Sequence, residues 1–438
     1  MGLSAAASRA ASRAPVPVFP VAGMGARAAV DDLLVEPRLH IVDTPAAANV
    51  LLLAGAVPAS LVAELALLHD GLSRPRTSVW WTLGASGPPV IRSSIEVQDS
   101  DPSTLVDAVV DAHRRLLTGE LASSSPQLPD DDGALWRGIG PYGQGGSGMT
   151  GGVPYGRPMA GLAPDRDGLQ LDQLTVRIGP FFARFPTGLV LKLRLQGDVI
   201  QEAQLVLLPG DVPTAGVATT PFGDALNVPV RVSVLELERA RSHLRSIASV
   251  LVAHQLGSLA RRVLRLVGQI RPGDDHEVEQ LHRILRRTQI LGWATTGVGH
   301  IASDRLEGTS AGPILRASGV ARDERTDDPA YRGLGFEPIV HEGSDARARL
   351  AQRLAEARQA LELAGRAGDN YHDPESPLES PRGRLGTGDR PAQRILPLVP
   401  SLLEGMEWGD AVSTVVSLDL DTDEVLAMRA TEPEVTVP

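Results

Sequence analysis

The segment from Gly308 to Asp369 constrains the fold more than any other part of the chain. It begins with a loop of small residues and passes through a charged turn and a stretch punctuated by Pro and Gly. Near Asp345, apolar residues start to recur every three or four positions, which predicts an amphipathic helix. Asp345 and Glu362 each stand one turn before an arginine, which stabilises a helix face. The predicted buried stripe consists of Ala346, Leu350, Leu354, Ala357, Leu361 and Ala364.

Charged residues in this segment follow a specific order. The loop at 312–325 fits the pattern GPxLRASGVxxDxR, and the helix carries Arg349, Arg353 and Glu356 at the spacing of RYxxRxxE. Two later stretches, 379–386 and 401–425, fit EAPRGExG and LLxGxxxxDxxxxxxSxDxxxGExD in the same way. This combination resembles the D subunit of bacterial respiratory complex I, a relative of the large subunit of nickel–iron hydrogenases. The resemblance runs from about residue 171 almost to residue 430.

The chain contains no cysteine. This excludes disulfides, thiolate zinc sites, a nucleophilic cysteine and iron–sulfur clusters held by cysteine. It also removes the ligands with which the hydrogenase family holds nickel and iron. We therefore expect the chain to bind no cofactor.

The composition of the chain limits the classes of partner that it can bind. The 438 residues carry a net charge of −11, which argues against nucleic acid as a partner because phosphate neutralisation needs a basic face. No apolar run approaches the roughly 20 residues of a membrane span. Residues 1–20 have no apolar core typical of a secretion signal, and we expect them to form a disordered tail.

Residues 21–120 read as a small α/β domain. Apolar strands are predicted at 38–42, 49–54, 78–83 and 95–97, and a helix at 59–69. Asp101 is placed to cap a second helix that Gly119 closes. Alternating strands and helices predict a mostly parallel sheet with helices on both faces.

The phrase at 48–86, ANVLLLAGAVPASLVAELALLHDGLSRPRTSVWWTLGAS, resembles the B subunit of complex I, which carries an iron–sulfur cluster. On this resemblance, two of the cluster cysteines fall near Ala26 and Arg27, the third falls on Ser86 and the fourth near Ser100. Serine is a poor iron ligand beside thiolate, so we expect no cluster. A nucleophilic role for Ser86 lacks the surrounding motif that such a serine needs.

Residues 121–165 read as a Gly/Pro-rich connector. Gly138, Gly140 and Gly143 fit G-x-G-x-x-G, but no strand precedes them and no helix follows, so nucleotide binding is not predicted. Two interpretations stay open for this segment: it docks on a partner protein, or it packs between domains. The candidate contact residues are Trp136, Arg137, Tyr142, Tyr155 and Arg157.

Residues 166–430 are predicted to form an α+β domain, mainly a helical bundle of the hydrogenase large-subunit type. Strands at 174–178 and 189–195 suggest a hairpin, and a long helical region begins after Pro229. Two more amphipathic runs follow at 259–270 and 277–291. Helices of this length pack as a bundle beside a small sheet.

The groups with which this complex I family positions or reduces quinone are missing. Phe182 and Pro186 stand where the resemblance implies histidines, and the aspartate position falls at about Ala253. Quinone reduction needs a proton donor within hydrogen-bond reach of the carbonyl, and none of the usual groups remains. Because Phe181 and Phe185 accompany Phe182, we expect the three rings to fill the former quinone tunnel as a packed plug.

The resemblance favours a non-catalytic, cofactor-free peripheral subunit of a complex-I-like or hydrogenase-4-like ion-translocating membrane complex. Such a pseudoenzyme would be a structural or coupling platform on antiporter-like membrane subunits, next to other peripheral subunits, on the cytoplasmic face of a bacterial inner membrane. One alternative is a subunit of an active NADH-quinone oxidoreductase or hydrogenase-type complex with the cofactors in partner chains. Another is a module that binds a small molecule in the old quinone cavity.

Overall fold

The computed structural model describes residues 14–85, 90–92, 94–129, 161–164, 168–206, 220–306, 308, 311–386 and 390–428. Its first part contains a five-stranded sheet in which every pairing is parallel, in the order β2-β1-β3-β4-β5. This is a doubly wound order, which reverses direction between β1 and β3. The strands are β1 (Val16–Ala22), β2 (Leu39–Ile41), β3 (Val50–Ala54), β4 (Thr77–Trp81) and β5 (Ile95–Val97).

We predicted a disordered tail over residues 1–20, and this prediction is wrong for residues 16–20, which lie in strand β1. Residues 16–20 belong to the centre of the sheet, where β1 pairs with β2 on one side and β3 on the other. Val16 and Val18 are buried on one face, and Phe19 is buried on the other. The first domain therefore begins before residue 21.

Helices cover both faces of this sheet, as the alternating pattern predicts. On one face, α1 (Arg27–Asp32) and α3 (Pro102–Thr118) contribute to a core with Leu52 and Trp81. On the other, α2 (Val62–Asp70) packs against Leu51 and Leu53. The predicted boundaries of α3 are confirmed: the Asp101 carboxylate accepts from Ser103 N, and Gly119 adopts φ 79°.

The second part combines an antiparallel sheet with helices. The sheet order is β6-β7-β8-β9, with β7 and β8 forming the predicted hairpin. These strands are β6 (Gly161–Pro164), β7 (Gln170–Ile178), β8 (Val190–Gln196) and β9 (Val199–Val206). Short ladders pair β10 (Val230–Arg231) with β11 (Tyr371–His372), and β12 (Leu378–Ser380) with β13 (Gly383–Leu385).

Two long helices, α5 and α11, form the centre of the helical part. Leu244, Ile247 and Leu251 of α5 share one apolar core with the α11 stripe and with residues of β8. The helices are α4 (Pro221–Ala225), α5 (Val232–Ala253), α6 (Gly257–Gln269), α7 (Asp275–Thr288), α8 (Ile290–Thr295), α9 (Ser303–Leu306), α10 (Gly312–Arg316), α11 (Ala346–Arg366), α12 (Pro391–Ile395), α13 (Val399–Leu403), α14 (Trp408–Leu418) and α15 (Thr422–Met428).

Helix α11 has the predicted buried stripe, with all six apolar residues at or below 8% exposure. The predicted Glu362–Arg366 pair is present at 3.4 Å. The prediction that the side chains of Asp345 and Arg349 pair is wrong. The Asp345 carboxylate instead caps the helix by accepting from Ala348 N at 2.8 Å, while Arg349 turns inward.

Helix α15 joins the two parts. Leu426 is fully buried in the core of the first sheet, beside Leu51 and Leu53 of β3. A residue from the far end of the helical part therefore completes the apolar core on one face of the N-terminal sheet. No helix in the described ranges is long and apolar enough to cross a membrane.

Candidate functional site

The positions at which the resemblance places cluster cysteines do not suit a metal cluster. Ala26 is fully buried before α1, and the Arg27 guanidinium lies 3.4 Å from the Asp31 carboxylate. Ser100 is exposed in the turn before α3, and Ser86 lies outside the described residues. A methyl group, a paired guanidinium and an isolated hydroxyl cannot replace the thiolates that hold such clusters. Within the described ranges, no group of three or more His, Asp or Glu side chains could hold a metal ion.

The crevice at the carboxyl ends of β1 and β3 is closed. Doubly wound sheets bind ligands at this point, where the strand order reverses. Here a Cβ at Gly23 would overlap the carbonyl of Ala56, so the two loops pack directly on each other. Gly25 N donates a 2.8 Å hydrogen bond to Asp423 Oδ1 from the start of α15. Protein groups therefore occupy the usual ligand position of this fold.

The turn after β7 contains apolar groups at the positions where the resemblance implies histidines. The Phe182 ring lies 4.9 Å from Phe185 and 5.5 Å from Trp408, measured between centroids. Phe185 and Pro186 are buried, whereas Phe182 is half-buried. Ala253, the last residue of α5, is half-buried and offers only a methyl group. None of these side chains can donate a proton.

The expected three-ring plug is only partly present. Phe185 is a core residue, but Phe181 and Phe182 border a groove of about 510 Å³ that is open to solvent. The groove runs between this turn and α2, where Leu67 is 61% exposed. A cavity on the other side of the turn measures only about 60 Å³. The rings thus separate a small cavity from a wider surface groove.

The motif residues converge on a buried ion network around Arg316. Its guanidinium, which is fully buried, forms a bidentate pair with Glu356 at 2.7 and 3.0 Å. It also lies 2.8 Å from Glu379 and 3.0 Å from Asp323. Helix α10, the following loop, α11 and β12 each supply one of these groups, so the network joins four segments. This convergence explains why the motif has charged residues at these positions.

The network continues through Glu236 on α5. Arg325 donates to Glu236 at 3.1 Å and forms a bidentate pair with Asp323 at 2.9 and 2.7 Å. Arg239 lies 3.1 Å from Glu236, and the Tyr331 hydroxyl donates to the same carboxylate at 2.6 Å. The two carboxylates, two guanidiniums and one phenol are all nearly inaccessible to solvent. Every charge in this half of the network has an oppositely charged partner.

The charges in the network do not balance without a proton. Four carboxylates (Glu236, Asp323, Glu356, Glu379) face three guanidiniums (Arg239, Arg316, Arg325). Burial would raise the pKa of Asp323, but Arg316 and Arg325 outweigh it and lower the pKa to about 2. Burial and the nearby Asp323 charge raise the pKa of Glu379 to about 7. Glu379 is therefore the carboxyl of this network whose pKa is raised toward neutrality.

His243 adds no cation to this network at neutral pH. Its Nε2 lies 3.2 Å from Glu356 Oε2, and its side chain is fully buried. Burial lowers the pKa of His243 to about 4 despite the carboxylate. A neutral imidazole in this position is a packed core group.

A second set of arginines on α11 points toward α14. Arg349 donates to Ser417 Oγ at 2.8 Å and to the Gly299 and Ser344 carbonyls at 2.8 Å each. It has no carboxylate partner among the described residues, and burial lowers its pKa to about 9. Arg353 lies 3.5 Å from Asp419. These contacts fix α14, which also carries Trp408, against the central helices.

A polar cavity of about 120 Å³ lies between the two parts. Asp31 and Arg27 border it from the first part, and Ser246 and Thr422 from the second. The hydroxyls of Ser246 and Thr422 are buried and have no partner among the described residues. A volume of this size suits a few water molecules and is well below the roughly 300 Å³ of a small-molecule site.

Acidic residues of α15 border this interface. Burial and the neighbouring Asp421 charge raise the pKa of Asp423 to about 6 and that of Glu424 to about 7. Ala392 N donates to the Glu424 carboxylate at 2.6 Å. Asp423, which accepts from Gly25 N, thus places at this interface a carboxyl whose pKa is raised toward neutrality.

Sequence reasoning identified part of this network. Arg316, Asp323, Arg325, Arg349, Arg353 and Glu356 were recognised as motif residues, without their convergence. Glu236 and Arg239 were missed, although with His243 they stand at i, i+3 and i+7, the spacing of one helix face. The candidate contact residues of the connector lie outside the described residues: Trp136, Arg137, Tyr142, Tyr155 and Arg157.

The family match to known proteins lies within the helical part. Residues 259–396 match the family described as "Respiratory-chain NADH dehydrogenase, 49 Kd subunit". A D subunit of NADH-quinone oxidoreductase from Chloroherpeton thalassium is 32% identical over 111 residues, which is 25% of this chain and 24% of that protein. The D subunit of F(420)H(2) dehydrogenase from Methanosarcina mazei is 28% identical over 175 residues, 30% of this chain and 46% of that protein.

A third relative is formate hydrogenlyase subunit 5 of Escherichia coli, 36% identical over 106 residues, 23% of this chain and 18% of that protein. The chain spans about a quarter of the length of the NADH-quinone oxidoreductase relatives from Chloroherpeton thalassium and Leptospira biflexa. The family match contains Arg316, Asp323, Arg325, Glu356 and Glu379, so the ion network belongs largely to the part that is similar to the 49 Kd family.

Proposed function

We propose that this chain is a cofactor-free, non-catalytic peripheral subunit of a complex-I-like or hydrogenase-4-like ion-translocating membrane complex. Its relatives are named as subunits of NADH-quinone oxidoreductase, F(420)H(2) dehydrogenase and formate hydrogenlyase. We infer that the first domain is similar to the B subunit of complex I and the second to its D subunit. The partners would be antiporter-like membrane subunits at the cytoplasmic face of a bacterial inner membrane.

One observation carries this proposal. The charged residues of the motif pair with one another in a buried ion network. The positions at which the resemblance implies catalytic side chains hold Phe182, Pro186 and Ala253. The network stabilises a specific arrangement of helices but presents no reactive group to a substrate. A structural or coupling platform needs the first property and not the second.

The first test is metal analysis of the purified chain. We expect no stoichiometric iron or nickel, because the chain supplies no thiolate and the resemblance places Ala26, Arg27 and Ser100 at ligand positions. About one iron–sulfur cluster per chain would contradict the proposal, because such clusters are held by cysteine and this chain has none.

The second test separates assembly from turnover in the native host. The tagged chain should co-purify in detergent with apolar membrane subunits. Ser100→Ala and Phe182→Leu should leave the redox turnover of the assembled complex within about twofold, because neither side chain supplies a proton or a ligand. A fall of tenfold or more with assembly intact would favour the alternative in which the chain contributes to oxidoreduction.

The open groove beside Phe181 favours ligand binding as a second candidate function. Its volume of about 510 Å³ lies in the range of small-molecule sites, and Leu67, Leu68 and Pro180 give it an apolar lining. A short-chain quinone would then raise the melting temperature of the purified chain, and Leu67→Arg would abolish that shift. No shift at millimolar quinone, for a chain that assembles normally, would eliminate this candidate.

A further inference from the structure

A basic groove with an exposed tryptophan lies on the surface formed by α7, α8 and the first half of α11. Its volume is about 560 Å³, and its lining includes Leu285, Leu350 and Leu354 together with Arg286 and Arg347. The three leucines are between 5% and 8% exposed, so they belong to the protein core and form a fixed apolar floor. The groove is therefore a concave surface with an apolar floor.

Trp293 stands at this groove with 84% of its surface exposed, more than any other large hydrophobic side chain in the described ranges. A tryptophan side chain contributes a large apolar area when it is buried, and it is enriched at the centres of protein interfaces. Leaving it in water forgoes that stabilisation. Its position beside a groove indicates that another molecule covers it.

The charge of the groove is opposite to that of the chain. The net charge is −11, yet the exposed Arg286 and Arg347 line the groove, and no acidic residue in the described ranges does. Arg286 pairs with no carboxylate among the described residues, and it lies in the last turn of α7. Cations at the end of a helix are stabilised by the helix dipole, which alone would explain Arg286.

Arg347 cannot be explained in that way. It lies in the first turn of α11, where the helix dipole opposes a positive charge. It is exposed, donates to Thr296 Oγ1 at 3.2 Å and has no ion pair within the described ranges. A cation held against the dipole, at the same groove as Arg286 and Trp293, indicates recognition of negative charge.

We propose that this groove docks an acidic amphipathic segment of a partner subunit, with an apolar side chain against Trp293 and carboxylates against Arg286 and Arg347. The inference rests on the proposed function and names the chemistry of one partner contact. An anionic membrane surface would satisfy the arginines but is flat on this scale, so it could not fill a concave groove with an apolar floor. The geometry therefore favours a polypeptide.

The test uses the full chain in its native complex. A photo-crosslinking amino acid at position 293 should give one adduct, mapped by mass spectrometry to a segment of a partner subunit that is rich in Asp or Glu. Arg286→Glu with Arg347→Glu should lower that adduct, and the retention of the partner at 50 mM NaCl, by about tenfold or more. Salt at about 0.5 M should weaken the wild-type contact, because rim charges are screened.

The control is Arg332→Glu, an exposed arginine beside Tyr331, which packs on Leu363 near the other end of α11. It should leave the adduct unchanged. A phospholipid adduct, flotation with phosphatidylglycerol vesicles that depends on Arg286 and Arg347, or a double variant that assembles like wild type would overturn the groove proposal. Wild-type chain that purifies alone would instead contradict the proposed function.

Discussion

At the scale of single residues, the ion network shows why the motif contains so many charges. Arg316 holds three carboxylates from three different segments, so removing its guanidinium leaves buried carboxylates without their shared cation. Glu379 differs, because burial raises its pKa to about 7 and its carboxyl can be neutral in the folded chain. Stability should therefore depend differently on these two residues.

We expect Glu379→Gln to stabilise the chain relative to wild type as pH rises. Below pH 4.5 the carboxyl is protonated in both the folded and unfolded chains, and between 4.5 and about 7 only the folded chain keeps the proton. The stability present at low pH is thus lost through this window, by up to about 3 kcal/mol at about 1.4 kcal/mol per pH unit.

Denaturant unfolding at pH 5 and pH 8 measures this effect as a difference between the two proteins. Glu362→Gln is the control, because Glu362 is partly exposed and pairs only with surface arginines on α11. Equal pH dependence in wild type and Glu379→Gln would show that Glu379 does not titrate in this range.

Arg316→Met should be strongly destabilising. It leaves the buried Glu356 carboxylate without its bidentate partner, which typically costs about 3–5 kcal/mol. Arg358→Met removes an exposed, 4.0 Å pair on the same helix as Glu356 and should cost less than about 1 kcal/mol. Equal losses of unfolding free energy in the two variants would contradict a central role for the network.

At the scale of helices and strands, prediction succeeded where the signal is local. Helix α3 carries its own start and stop in Asp101 and Gly119, and both act as expected. Strand β1 was not predicted, and Pro17 and Pro20 in its sequence argue against a central strand. The identity of β1 depends on its neighbours β2 and β3, which no local pattern reveals.

The candidate site was less predictable for the same reason. The resemblance indicated at which positions the expected histidines and aspartate are replaced. It did not indicate the partners of Arg316, which are 7 to 63 residues away. Only the packing of α5 against α11 decides that Glu236 and Glu356 share one network. Pairing of this kind is a property of the tertiary fold and not of spacing along the chain.

The aromatic turn after β7 should contribute unequally to stability. Phe185→Ala removes a ring that is 5% exposed and should cost about 3–5 kcal/mol. Phe181→Ala, at the open groove, should cost clearly less because water already reaches the ring. Unfolding free energies of the two variants decide this, and equal large losses would restore the fully packed plug.

At the scale of the whole molecule, contacts of several kinds connect the two parts. Arg245 lies 3.1 Å from Asp32, and Arg177 lies 3.1 Å from Glu64. These exposed or half-exposed pairs contribute little to stability alone. The burial of Leu426 in the first sheet is the stronger link, because it places an apolar side chain of the second part in the core of the first.

We therefore expect one unfolding transition for both parts. Leu426→Ala should cost about 2–5 kcal/mol and lower the melting point of the first sheet and of the helical part together. Amide hydrogen exchange in β3 reports the first sheet, and exchange in α11 reports the second part. Leu67→Ala, at a 61% exposed position, is the matched control. Two separate transitions in the wild type would show independent domains.

The position of Leu426 also has a consequence for synthesis on the ribosome. Gly25 and Asp423, which are hydrogen-bonded across the same contact, are separated by 398 residues. At about 5–20 residues per second, roughly 20 to 80 seconds pass between the synthesis of Gly25 and that of Asp423. During that interval part of an apolar sheet face is exposed, and contacts this distant in sequence also slow folding. The nascent chain should therefore engage chaperones from early in translation until α15 emerges.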